Sequence, residues 1–397
     1  MPGANHGILE GIRVLDFGRY IAGPFAATML GDMGAEVIRI ERREGSEDRF
    51  IAPVGATGEG AMFLGINRNK KGMTLDPMTA KGQEIAHRLV ATSDVVVANL
   101  PINVLKRMRL DYDTLAAIKP DIILVNPSTF GPDGPYANRV GFDTVVQAMS
   151  GAMSLTGFPG TPVREIVPFE DFGTALSGAF GALAALFERQ KSGVGQMVDV
   201  SLLSTGITVM QTLLIERAMT GIVREQQGNT SFHAAPADTY QTKDGWLLVS
   251  VLGNPMFRRW ARLVERTDLI DDPRCADDIT RGDHFELINE VMGAWCASRT
   301  TEACIDALEE ARIPCGPVYE VDQTLNDPQV KARELLQPVN YPGIGDVPLP
   351  ATPVRLSRTP GGIRHRAPLI GEHTEEIMHE LGYSDAEIAA LRAEQII

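Results

Sequence analysis

Over the first third of the chain, short apolar runs bounded by turn residues alternate with stretches of helical period. "RVLDF" (13–17), "EVIRIE" (36–41), "DVVVANL" (94–100) and "IILVNPS" (122–128) read as strands. A helix is predicted over 23–34, opening at Pro24, and another over 80–91. Strands that are apolar without alternation are buried on both faces, so the pattern predicts an α/β fold around a parallel sheet. A long helix, "EDFGTALSGAFGALAALFERQKSG", is followed by a strand and a further helix over 195–221. The polar stretch 224–240 reads as a linker. From 244 a smaller unit begins, with a strand "DGWLLVSV", helices over 255–266, 284–297 and 301–311, and a turn-rich strand over 313–318. The tail holds two helices separated at Gly382, the second capped by Ser384.

At 397 residues the chain is long for one core, which favours two domains. With 44% hydrophobic and 22% charged residues its composition is that of an ordinary globular protein. The net charge of −14 argues against nucleic acid or an anionic membrane as a partner, so an anionic ligand needs a local basic pocket. The N-terminus lacks the basic start and apolar core of a signal peptide, and the run Gly178–Phe187 is too short to cross a bilayer. Cys275, Cys296, Cys304 and Cys315 have no metal-binding spacing and read as free thiols of a cytoplasmic protein.

The first strand–helix–strand unit invites a dinucleotide reading, with Glu41 placed to hold a ribose. The turn "FGRYIAGP" lacks GxGxxG, however, and Arg42 and Arg43 would suit a phosphate better than a bare ribose. Glu170 and Asp171 stand at the start of the long helix. The simplest role for Asp171 is that of a cap, since aspartate accepts the unpaired N–H groups there. Behind it, Phe172, Leu176, Phe180, Leu183 and Phe187 form one bulky face, and small residues fill the rest. Those small residues admit either close helix packing or a bulky ligand.

"GIRVLDFGRYIAGP", "GAEVIRIER", "DVVVANL", "FGPDGPYANRVGFDTVVQAMSG", "ERQKSGVGQMVDVSLL", "IPCGPV" and "RAPLIGEHTEEI" together resemble class III CoA-transferases, the group of formyl-CoA transferase and the carnitine CoA-transferases. The resemblance runs from about residue 10 to the C-terminus, in order. It implies a Rossmann-like parallel-sheet large domain built from residues 1–222 and 346–397, and a smaller α/β domain over 244–322. Linkers over 223–243 and 323–345 would join them, in a homodimer of two interlocked chains.

The resemblance also makes Asp171 the catalytic nucleophile. A carboxylate facing a helix N-terminus is expected to stay an anion, with its pKa at or below about 3.9. Ala22, Arg42, Asn99 and Arg107 match the family's CoA-binding positions, and the arginines suit the nucleotide phosphates. No metal and no permanently bound cofactor is implied; CoA and acyl-CoA are substrates, with a carboxylic acid as acceptor. The implied exchange runs through an aspartyl anhydride and an aspartyl–CoA thioester, with helix-start N–H groups stabilising the oxyanions. Two departures from formyl-CoA transferase stand out. Val140-Gly141-Phe142 replaces a Lys-Ala-Tyr run, and the glycine-rich loop is not visible, which argues against oxalate and formate.

Two rival readings remain. An acyl-CoA racemase of the same fold would carry a histidine before an aspartate, where this chain has Gly141-Phe142-Asp143; phenylalanine cannot move a proton. A non-catalytic acyl-CoA-binding protein could keep the fold, though the intact Asp171 argues against it.

Overall fold

The computed structural model describes residues 7–55 and 59–397. Residues 1–6, part of the segment read for a leader, lie outside it. The chain divides into two compact units. One holds the chain up to Ser150, Ile166–Leu214 and Pro328–Ile397; the other holds Gly151–Glu165 and Ile215–Asp327.

The larger unit is built on six strands: β1 (Arg13–Asp16), β2 (Glu36–Glu41), β3 (Lys70–Thr74), β4 (Val95–Val97), β5 (Ile123–Ser128) and β6 (Met197–Ser201). All neighbours run parallel, in the order β3-β2-β1-β4-β5-β6. The expected α/β fold is thus present. Val14, Leu15, Val95, Val96, Val97 and Leu124 are completely buried, as continuous apolar runs demand. Chain order reverses between β1 and β4. In open parallel sheets the crevice beyond the strand ends at such a point is where ligands bind.

Helix α1 (Ala22–Asp32) begins two residues before Pro24, and α2 (Ala80–Ala91) lies where the period placed it. Further on come α3 (Ile102–Met108), α4 (Asp143–Met149), the long α5 (Phe169–Ser192) and α6 (Leu202–Val209). The thinness of α5 is a packing device. A Cβ on Gly178 would sit 3.3 Å from Val125 of β5 and 3.6 Å from Ala26 of α1, and Ala175, Ala182 and Ala185 are buried beside it. Close packing, not a ligand, uses this face. Leu176, Phe180 and Phe187 on the bulky face are exposed. In the tail, Gly382 takes a positive φ of 87°, and Ser384 and Glu387 form a reciprocal capping box.

The smaller unit contains an antiparallel sheet of Ala237–Gln241, Trp246–Ser250 and Cys315–Pro317, backed by helices Asn254–Leu263, Phe285–Ala297 and Thr301–Glu310. Its core gathers Trp260, Phe257, Leu247, Met292 and three buried cysteines. Cys315 is half-buried, and all four cysteines are free. The segment read as a linker over 223–243 has no regular structure until the strand at Ala237. The second, over 323–345, carries two short helices and the strand Leu336–Tyr341, which pairs with Gly345–Pro350. Gly151–Glu165 groups with the smaller unit, where Gly228 N–H donates to Gly157 O at 2.9 Å.

Candidate active site

The site is built at the reversal point of the larger unit. After β1 the chain turns sharply through Phe17–Ile21 and enters α1, with Tyr20 at φ 57°. A buried charge network underlies this turn. Asp16 of β1 receives Lys70 Nζ at 2.8 Å and Arg39 Nη1 at 3.4 Å, while Arg39 also reaches Asp48 at 3.0 Å. Asp16 accepts from Gly18 N–H at 2.8 Å, and Arg39 donates to Gly18 O at 2.7 Å. From beyond β4, Asn99 closes the turn: its Oδ1 accepts from Arg19 N–H at 2.6 Å and its Nδ2 donates to Arg19 O at 2.7 Å. The absence of a side chain at Gly23 makes room, since a Cβ there would lie 2.9 Å from Asn99 Oδ1.

Asp171 occupies the first turn of α5 but is not its cap. Asp143, at the start of α4, does that work from another helix. Its Oδ2 accepts from the N–H groups of Glu170 at 2.9 Å and Asp171 at 3.1 Å, and its Oδ1 accepts from Gln147 at 2.5 Å. This corrects two expectations. The helix-start N–H groups are already bonded and are not free for an oxyanion. Asp171, half-buried beside a second carboxylate, is not held low: burial and the charge of Asp143 push its pKa up to about 7. Glu170 is fully buried, with Oε1 3.4 Å from Ser150 Oγ and Oε2 without a partner. Burial and Asp143 push it to about 7 as well.

Two cavities share the wall formed by Arg19 and Leu100. The first, of about 260 Å³, is lined by Ala22, Asn99, Phe142 and Asp171. The second, of about 200 Å³, is lined by Arg42 and Arg107. The expected site residues therefore fall into two groups in one crevice. Ala22 is buried at the start of α1, Arg107 is exposed in the last turn of α3, and Arg42 is exposed and paired with Glu47 at 3.0 Å. The ribose-binding role weighed for Glu41 does not fit, because Glu41 is buried and bound to Arg49. Among the described residues no cluster of histidine, cysteine and acidic side chains could hold a metal ion.

A sequence profile of CoA-transferase family III matches residues 9–374. The chain belongs to that family. This transferase is 34% identical to the succinyl-CoA–D-citramalate CoA-transferase of Chloroflexus aurantiacus, over 98% of both chains. It is 33% identical to the succinate–glutarate CoA-transferase of Agrobacterium fabrum, over 94% of this chain and 95% of that one. The crystal structure of a CAIB/BAIF family protein from Brucella suis superposes with a TM-score of 0.82 at 30% identity, covering 95% of this chain and 100% of that one. The protein is an enzyme, a CoA-transferase.

The structure weighs against the racemase reading of this transferase. Phe142 lines the Asp171 cavity and packs edge-on against Tyr20 at 5.5 Å, and among the described residues no histidine lines that cavity. Two residues of the site went unread in the sequence. Asp143 had been seen only as the end of a failed motif, and Arg19 as part of a turn lacking its glycines. The bare acid two residues after Gly141 gave no sign of a partner helix beginning 26 residues later.

Proposed function

We propose that the protein transfers CoA from succinyl-CoA to a second dicarboxylic acid, with Asp171 as the nucleophile. The observation that carries this reading is the carboxylate of Asp171 in a cavity whose wall continues into one lined by Arg42 and Arg107. One end suits acyl chemistry and the other a nucleotide phosphate. The substrate class rests on the relatives, whose names pair succinyl-CoA or succinate with citramalate or glutarate.

The Asp171 carboxylate attacks the donor's thioester carbonyl. The C–S bond breaks, CoA leaves as the thiolate, and a mixed anhydride remains. The thiolate then attacks the aspartyl carbonyl, releasing the donor acid as its carboxylate and leaving an aspartyl–CoA thioester. An acceptor carboxylate repeats the two steps in reverse, and Asp171 is regenerated. No net proton is consumed. The nucleophile must be ionised, so a pKa near 7 makes the reaction fall away in acid. Ala22 lets the chain of the ligand pass close to the start of α1, and Asn99 holds the turn that shapes the wall.

An interlocked homodimer accompanies this reading. It is supported by the exposed apolar side chains of Leu176, Phe180 and Phe187, a stripe that a second copy would cover. The segments over 223–243 and 323–345 are where the chains would cross. Free thiols in the smaller unit support a reducing compartment, the cytoplasm.

Incubation with succinyl-CoA followed by hydroxylamine should leave a hydroxamate on Asp171, read by peptide mass. Labelled succinate should exchange into succinyl-CoA in the same preparation. A hydroxamate on another residue, or exchange without any adduct, would defeat the mechanism.

A further inference from the structure

Among the described residues, Arg19 is the one arginine that lines both cavities. Its backbone is clamped on each side by Asn99, so its position is set by the fold. The guanidinium donates from Nη1 to Ser46 Oγ at 2.5 Å. The two acids that act on it electrostatically are already engaged, Glu47 with Arg42 at 3.0 Å and Asp48 with Arg39 at 3.0 Å. Burial, then repulsion by Arg39, hold its pKa below the ordinary arginine value. A cation placed in this way, facing two cavities, is completed by an anionic ligand.

The chemistry of CoA says which anion. The molecule runs from a 3′-phosphorylated nucleoside through a diphosphate to an uncharged pantetheine arm and the thioester. With the nucleoside end at Arg42 and Arg107 and the thioester at Asp171, the shared wall meets the part between them. We propose that Arg19 clamps the diphosphate of CoA, its planar fork taking phosphoryl oxygens from both sides of the turn's wall. This rests on the placement of CoA in the two cavities given above. Arg19 then fixes how far the thioester reaches toward Asp171, in addition to adding affinity.

The test compares three succinyl thioesters: of CoA, of dephospho-CoA, which lacks only the 3′-phosphate, and of pantetheine, which lacks every phosphate. Arg19→Gln removes the charge and the guanidinium fork, shortens the side chain by two bonds and keeps one polar amide. It should lower kcat/KM by about 10- to 100-fold with the CoA ester and by the same factor with the dephospho-CoA ester. With the pantetheine ester the loss should be within about threefold. Arg19→Lys should recover part of the loss, and its thermal melt separates a binding defect from a folding one.

An equal loss with all three esters would overturn the proposal, leaving Arg19 as a loop-shaping residue or a partner of the acyl group's far carboxylate. A loss that disappears with dephospho-CoA would overturn it in favour of the 3′-phosphate. Arg42→Ala, run in parallel, isolates the underlying placement. If Arg42→Ala discriminates between CoA and pantetheine esters and Arg19→Gln does not, only the diphosphate assignment fails. If neither discriminates, the placement of the nucleotide fails with it.

Discussion

The two ends of the crevice handle charge in opposite ways. Around Asp171, three carboxylates of like sign are drawn together by α4 and α5, Asp143 and Glu170 buried and Asp171 half-buried, and two of them are pushed up to about 7. Around Arg42 and Arg107 the charges stand in solvent, Arg42 with 62% of its side chain exposed. Water screens the arginines, and in the proposed reading they contribute affinity for the ligand they meet. Burial denies much of that screening to the acids, so in the proposed reading their protonation becomes a variable of the reaction. Under the proposed placement of CoA, charge tunes binding at one end and reactivity at the other.

The sharpest way to break this contrast is at the acid end. Asp171→Asn should reduce succinyl exchange by on the order of 10³-fold or more, since an amide is a poor nucleophile, while KM for the CoA ester changes little. Near-normal exchange would reduce Asp171 to a structural acid. At the other end, Arg42→Ala should raise KM for the CoA ester by about 5- to 20-fold with kcat nearly kept, as expected of a contact remote from the reacting carbonyl. A fall in kcat with an unchanged KM would invert the proposed division of labour.

Titration sharpens the comparison further. Below pH 7 the wild-type kcat/KM should fall about tenfold per unit as Asp171 gains a proton. Asp143→Asn keeps an acceptor for the two N–H groups and removes the neighbouring charge, so the acid limb should move down by about one pH unit. An unmoved limb would show that burial alone sets the pKa. The smallest effect is on stability. Asp171 binds its proton more tightly folded than unfolded, so its contribution is full below about pH 4 and is lost as pH rises through 7. Asp171→Asn should therefore raise Tm by about 2–4 °C at pH 8 and by less at pH 5, measured by calorimetry.

Much of this molecule can be read along the chain. The strands of the parallel sheet were legible because Val95–Val97 and Ile123–Val125 are apolar without a break, a pattern that only burial on both faces produces. Ser384 announced a helix start because a cap acts within one turn, and the structure completes it with Glu387 as a capping box. The pairing of residues 23–34 and 80–91 with helices is of the same local kind. The resemblance singled out Asp171, but the low pKa expected for it is overturned by burial and the charge of Asp143, because the proximity of a helix N-terminus can be seen in sequence and the occupant of that terminus cannot. Asn99, expected to meet ligand, lines the Asp171 cavity and also clamps Arg19, a pairing across 80 residues that has no local signal in the sequence. Phe180 and its neighbours were read as a helix face, and only packing showed that the opposite, small-residue face is the one turned to the sheet.

Periodicity, caps and turn residues thus determined the elements and their order, because each depends on side chains within a turn or two of one another. The register of β1 beside β4, the meeting of Asp143 with Glu170 and Asp171, and the place of Arg19 in the wall of two cavities were decided only in the folded chain. Charges interact through space with a strength set by burial and distance, and neither quantity exists until residues remote in sequence have been packed together.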